Sequence, residues 1–327
     1  SSRERDGASP SVRSGRSSSD VRAPAERHQT RCAFRAGDEE GDLVAAGGQV
    51  LLVEPCAETG MEMSGAEGGV GEQDVSGALE DRDEGGEGDD EGGDDGLLQA
   101  KRLGRSRVLL HARGGRILVQ LWHPGRAAHS SLNDGVQPIS STDRAIRGDT
   151  INTPWGVKDY EAPRRLRTDE VPGIVDLFRR AAVRSREAGF DGVQIHGAHG
   201  YIIDQFLRDG TNDRDDAYGG SLPNRARLLL EITDACIEVL GADRVSVRIS
   251  PRVGYNDMAD SDPEALVEYV ARELDRRRIA FLELRHADHR DPAEQRLAQI
   301  ARREFSGALF VNGGFDSASA QAAVASG

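Results

Sequence analysis

From residue 117 to the end of the chain, short apolar runs alternate with segments whose apolar residues recur at helical spacing. That alternation constrains the fold more than any other feature. Residues 117–121, the run ending at His196, 245–249, 280–284 and 308–311 read as strands. Residues 170–188, 223–240, 262–277, 292–303 and 317–325 read as helices. Gly189 and Gly241 stand just past two helix ends, and Pro223 opens one of the helices, as helix punctuation requires. Apart from a long polar loop over 124–167, the links are short. Five βα units of this kind call for a parallel sheet with helices outside it, the α/β class.

Upstream the texture differs. Residues 1–44 are polar without a helical or strand period and read as a disordered segment. Residues 45–63 contain one apolar run, AGGQVLLVE, that fits an early strand. Residues 64–96 are Gly, Glu and Asp in near-repeats (EDRDEGGEGDDEGGDDG) and read as a solvated, disordered insertion, because like charges repel and glycine adds chain entropy. The texture changes at Leu97. Residues 97–112 read as a helix, and 97–327 as one domain.

The net charge of -14 gathers in the acidic insertion, and no basic face is present, which argues against nucleic acid as a partner. No segment has the length and apolarity of a membrane span, so no membrane partner is expected. Three scattered cysteines suit free thiols in a reducing compartment and cannot complete a four-cysteine metal or iron–sulfur site. A cytoplasmic location is expected. The Arg- and Ser-rich residues 1–31 leave organelle targeting as the alternative.

The unusual residues fall at the carboxyl ends of the strands. Gln120, Trp122 and His123 end the first, and His196 and His199 follow the second. Arg248 ends the third, and Asn312, Gly313 and Gly314 end the fifth. In a closed barrel all of these would face one mouth. Gln120 places an amide in an apolar run and must find a partner in the protein or a ligand. Arg248 reads either as a structural ion pair or as a ligand contact. The Gly313-Gly314 pair is either a simple turn or a phosphate cradle. His196 and His199 could begin a metal site, but the HEXXH spacing is absent and the motif offers no third ligand. As neutral donors they could hold one oxygen of a substrate, with Tyr201 beside them to give or take a proton.

The stretches ILVQLWHPGR (117–126), GFDGVQIHGAHGYIIDQFLRDGTNDR (189–214), DAYGGSLPNRARLL (216–229), VSVRISPRVGYNDMADSDP (245–263) and FVNGGFD (310–316) resemble the old yellow enzyme family of FMN-dependent ene-reductases. The resemblance covers residues 97–327 in order. It implies a (β/α)₈ TIM barrel with FMN at its carboxyl mouth and NADPH or NADH as the reductant. The substrate it implies is a small electrophilic alkene, an α,β-unsaturated carbonyl or nitro compound. By the same resemblance His196 and His199 hydrogen-bond the substrate oxygen and Tyr201 protonates the α-carbon. Gln120 and Arg248 contact the flavin ring, Trp122 lines the pocket, and Gly313 and Gly314 cradle the FMN phosphate.

The pattern departs from the family at both ends. The family's eighth strand, with a Gly-Arg-Pro segment, would follow Gly327. The first strand's Pro-Leu/Met-Thr segment has only His28 to Cys32 as a weak counterpart. The expected barrel is therefore incomplete, with the eighth strand absent and the first doubtful. Two readings follow: an FMN-dependent reductase of activated alkenes, or a truncated or degenerate member without activity. Larger iron–sulfur relatives share the barrel but need a cysteine cluster that this chain does not carry.

Overall fold

The computed structural model of the chain describes residues 32–33, 47–53, 111–112 and 114–325. The strands, in chain order, are β1 (Cys32–Ala33), β2 (Gly47–Val53), β3 (Arg116–Trp122), β4 (Ile139–Ser140), β5 (Thr150–Thr153), β6 (Gly156–Asp159), β7 (Arg164–Arg165), β8 (Gly192–Gly197), β9 (Val245–Ile249), β10 (Phe281–Arg285) and β11 (Ala308–Asn312). The helices are α1 (Val171–Glu187), α2 (Ile202–Leu207), α3 (Leu222–Leu240), α4 (Pro263–Arg277), α5 (Pro292–Glu304) and α6 (Ser317–Ala325).

The main sheet has the order β1-β2-β3-β8-β9-β10-β11. From β3 to β11 every neighbouring pair is parallel and follows chain order, with helices in the connections. These are the five expected βα units, laid side by side as barrel staves. The helix boundaries follow local chemistry. Asp262 caps α4 by accepting from Ala265 N at 3.0 Å, and Asp291 caps α5 by accepting from Ala293 N at 2.9 Å. Pro263 and Pro292 then occupy first-turn positions, where a missing N–H costs nothing.

The strands divide their side chains by parity. Ile117, Val119 and Leu121 of β3, Val193 and Ile195 of β8, Val245, Val247 and Ile249 of β9, and Leu282 and Leu284 of β10 join one hydrophobic core. Ile174 and Phe178 of α1, Ile232 of α3, Val267 and Val270 of α4 and Ile300 of α5 belong to the same core, so this face of the sheet meets the helices. The intervening strand positions, Gln120, Gln194, Arg248 and Glu283, therefore share the opposite face, the inside of the barrel.

Two expectations change in the structure. The early strand forms as β2, but it pairs antiparallel with β3 over seven residues, from Gly47↔Trp122 to Val53↔Arg116. A βα stave runs parallel to its neighbour, so β2 lies beside β3 with the opposite polarity, and β1 pairs antiparallel outside it. Residues 124–167, expected as a plain polar loop, instead carry a hairpin of β5 and β6 and a short parallel bridge between β4 and β7. The hairpin turns at Gly156, whose φ of 107° favours glycine. The expected disordered segment, the acidic insertion and all but the last two residues of the expected 97–112 helix lie outside the described residues.

Candidate active site

The loop after β8 is shaped by close approach. Gly200 has φ +74°, and a Cβ there would lie 2.7 Å from Asn256 Cβ. His199 takes a left-handed φ of 57°, which few non-glycine residues adopt. Its backbone is held from both sides, its N–H donating to Ser250 Oγ at 2.8 Å and its carbonyl accepting from Asn256 Nδ2 at 2.7 Å. Gly200 N donates to Asp204 Oδ2 at 2.8 Å. Gln205 Nε2 reaches both Gly200 O at 2.7 Å and Pro124 O at 3.1 Å, which ties the loop after β8 to the loop after β3.

These restraints bring four rings together. Tyr201 lies 4.7 Å from Trp122 and 5.0 Å from His196 between ring centroids, the second contact edge-on at 87°. His196 and His199 are 5.3 Å apart. On the adjacent strand Arg248 is the register partner of His196. Trp122 and His196, expected from different strands to face one mouth, do so here.

Below the rings runs a buried polar chain across five staves. Gln120 Nε2 donates to Gln194 Oε1 at 2.6 Å, and Gln194 Nε2 donates to Glu283 Oε2 at 2.8 Å. Glu283 Oε1 accepts from Asn312 Nδ2 and lies 3.1 Å from Arg248 Nε. That last contact is an ion pair whose angles do not make a hydrogen bond, because Arg248 Nε has no hydrogen-bond partner among the described residues. Arg248 is thus the structural ion pair weighed from the sequence and also a neighbour of the histidines. Gln194 and Glu283 join this chain beyond the residues expected at the site. The signal was present in both, a polar residue inside an apolar strand run, as at Gln120.

Burial sets the protonation states. It holds the His196 imidazole far below its usual range, with His199 and Arg248 adding to the effect. His199 is lowered to about 3 by burial, then by Arg248 and Arg285. Both are neutral at pH 7. His196 Nδ1 accepts from Ala198 N at 3.2 Å, which places the ring proton on Nε2 and makes that nitrogen a donor. His123 uses the same device, accepting from Gly125 N at 2.9 Å, and burial lowers it to about 4.

A pH dependence of stability follows. His123 and His286 are lowered to about 4, and His199 to about 3, from 6.5. Groups with depressed folded values contribute stability that is present above their unfolded value and lost as pH falls through the folded one. Asp204, raised to about 6 chiefly by burial, acts oppositely: its contribution is lost as pH rises through about 6. Asp260 and Glu294, also raised by burial, act as Asp204 does, while His196, lowered well below its usual range, acts with the other histidines, whose larger shifts set the sign. Urea denaturation is expected to show a marked loss of stability between pH 7 and pH 4.5. A flat profile over that interval would contradict the buried neutral histidines.

The rim continues to Gly313 and Gly314, with φ of 150° and 79°. A Cβ on Gly313 would lie 2.7 Å from His286 O, so this glycine is required by packing. Nothing lies within 4 Å of a Cβ on Gly314, which leaves open space beside a left-handed turn. The residues fit a large polar cofactor. Gln120 Oε1 and His199 Nε2, both buried, lack hydrogen-bond partners among the described residues, and such atoms are costly without a ligand. No group of three His, Cys, Asp or Glu among the described residues could hold a metal ion. No described helix is long and apolar enough to cross a membrane.

Polar groups gathered on the carboxyl rim of consecutive parallel strands, with helices behind them, have the layout of the functional mouth of an α/β barrel. The family model of the NADH:flavin oxidoreductase / NADH oxidase family matches residues 107–327. The chain belongs to that family, the old yellow enzymes, whose cofactor is FMN. It is 44% identical over 226 residues to 12-oxophytodienoate reductase 7 of Oryza sativa subsp. japonica, an alignment covering 63% of this chain and 57% of that protein. With 12-oxophytodienoate reductase 1 of the same plant it shares 43% identity over 225 residues, covering 67% and 58%. Morphinone reductase, solved in complex with tetrahydroNAD, superposes with a TM-score of 0.65 at 39% identity, covering 70% of this chain and 64% of that one. The chain thus spans less than two thirds of the length of these relatives. The likeness establishes the fold as part of the (β/α)₈ barrel of this family.

Proposed function

We propose that the chain reduces activated alkenes, α,β-unsaturated carbonyl or nitro compounds, with FMN as cofactor and NADPH or NADH as reductant. The convergence of Trp122, His196, His199 and Tyr201 beside Arg248 and Gln120 carries this reading. FMN, when bound, supplies hydride to the β-carbon of the alkene. His196 presents an Nε2–H donor, and His199 has a buried Nε2 without a partner among the described residues. Together they hold the substrate's carbonyl or nitro oxygen and draw electron density from the double bond. Their neutrality lets them orient that oxygen without giving up a full proton. The Tyr201 phenol, against the His196 ring, gives the proton to the α-carbon.

Gln120 and Arg248 would hold the flavin ring, with the guanidinium placing a positive charge beside it. Trp122 would wall the pocket, and Gly313 and Gly314 would receive the phosphate. The experiment is an FMN titration of the chain followed by anaerobic addition of NADPH and then 2-cyclohexenone. Bleaching of the flavin absorption by NADPH and its return on adding the enone are expected. Bleaching without return would remove the alkene-reductase reading. Absence of FMN binding would favour the inactive family member.

A further inference from the structure

We propose that Arg285 grips the phosphate of FMN, as a cationic anchor standing between the flavin-ring site and the glycine turn after β11. The proposal rests on the FMN reading above. Arg285 closes β10 and is the register partner of Asn312, the residue before Gly313. It lies two residues beyond Glu283 and therefore on the same face of β10, the inner one. The strand order lays Gln120, His196, Arg248, Arg285 and Asn312 along one rim in that sequence. A flavin ring at Gln120 and Arg248, with its phosphate at Gly314, would carry its ribityl chain past Arg285.

Three observations give this arginine an anionic client. Its Nη1 is buried and has no hydrogen-bond acceptor among the described residues. It makes no ion pair among the described residues, whereas Arg248 has Glu283 at 3.1 Å. Glu283 is engaged by Arg248, Gln194 and Asn312, and Glu294, though near enough to feel Arg285, makes no ion pair with it among the described residues, so no carboxylate at the rim closes on this guanidinium. Its charge is felt by Arg248 and His199, and also by His286 and Glu294.

The neighbouring backbone favours phosphate as that anion. His286 N donates to Asn312 O at 2.8 Å and His289 N to Gly313 O at 2.9 Å, so the end of β10 is stitched to the glycine turn. Gly314, at φ +79° with open space beside it, offers a turn where an anion can approach the backbone. A guanidinium fork matches phosphate oxygens well, and this is the barrel end at which phosphates are bound.

The test compares FMN with riboflavin, which lacks only the phosphate, by flavin-fluorescence titration of the full chain. Wild type should bind FMN far more tightly than riboflavin. Arg285→Gln should weaken FMN by roughly 10- to 100-fold and leave riboflavin unchanged. Arg285→Lys, which keeps the charge, should recover part of the FMN affinity, and it decides the matter with the wild-type ratio if the Gln variant does not fold by circular dichroism. Equal weakening of FMN and riboflavin would place Arg285 on the ring and overturn the proposal, as would no change in either. Equal wild-type affinities would overturn it while leaving the flavin reading intact. Wild type binding neither flavin would overturn both.

Discussion

Replacing Tyr201 with Phe is expected to slow alkene reduction by about 10²- to 10⁴-fold, the usual worth of a positioned general acid, while flavin reduction by NADPH stays near wild type. The substitution removes one hydroxyl and keeps the ring. Its packing on Trp122 at 4.7 Å and its edge contact with His196 at 5.0 Å should survive, so the two histidines keep their places. Because the proton is needed only when the alkene is reduced, the two half-reactions should separate. Stopped-flow absorbance, following flavin bleaching by NADPH and then reoxidation by 2-cyclohexenone, measures each. A parallel fall in both rates would show that Tyr201 shapes the site and does not deliver the proton.

Arg248→Met should cost about 3–5 kcal/mol of stability, as removal of one partner from a buried ion pair typically does. The side chains of Arg248 and Glu283 are 16% and 8% exposed, so water cannot replace the lost charge cheaply. Glu283 would keep its bonds from Gln194 and Asn312 but hold a carboxylate with no cation beside it. Adding Glu283→Gln to Arg248→Met removes that charge and should recover part of the loss. Urea denaturation of the single and double variants measures both effects. A single variant as stable as wild type would mean that the polar chain is not a framework of the barrel interior.

The sequence carried much of this site, though unevenly. Trp122, His196, His199 and Tyr201 were legible because each is an unusual residue beside the end of an apolar run. Gln120 and Arg248 were legible as polar residues inside such runs. Gln194 in GVQIHG and Glu283 in FLELR gave the same sign but without ring or charge context to mark them. The polarity of β2 was not readable at all. An apolar run has the same pattern whichever way its neighbour runs, and only the pairing of Gly47 with Trp122 fixes the direction. The hairpin of β5 and β6 escaped because its strands are short and largely exposed, so no apolar period announces them.

The alternation of strands and helices, the apolar face of each strand and the chemical types at the strand ends were determined by the sequence itself, because each depends on residues a few positions apart. Which of those groups meet was decided only by the tertiary structure. Gln120 finds Gln194 across 74 positions of chain, and Gln194 finds Glu283 across 89. Such meetings depend on strand register and on the direction of side chains across the sheet, and no local period encodes either.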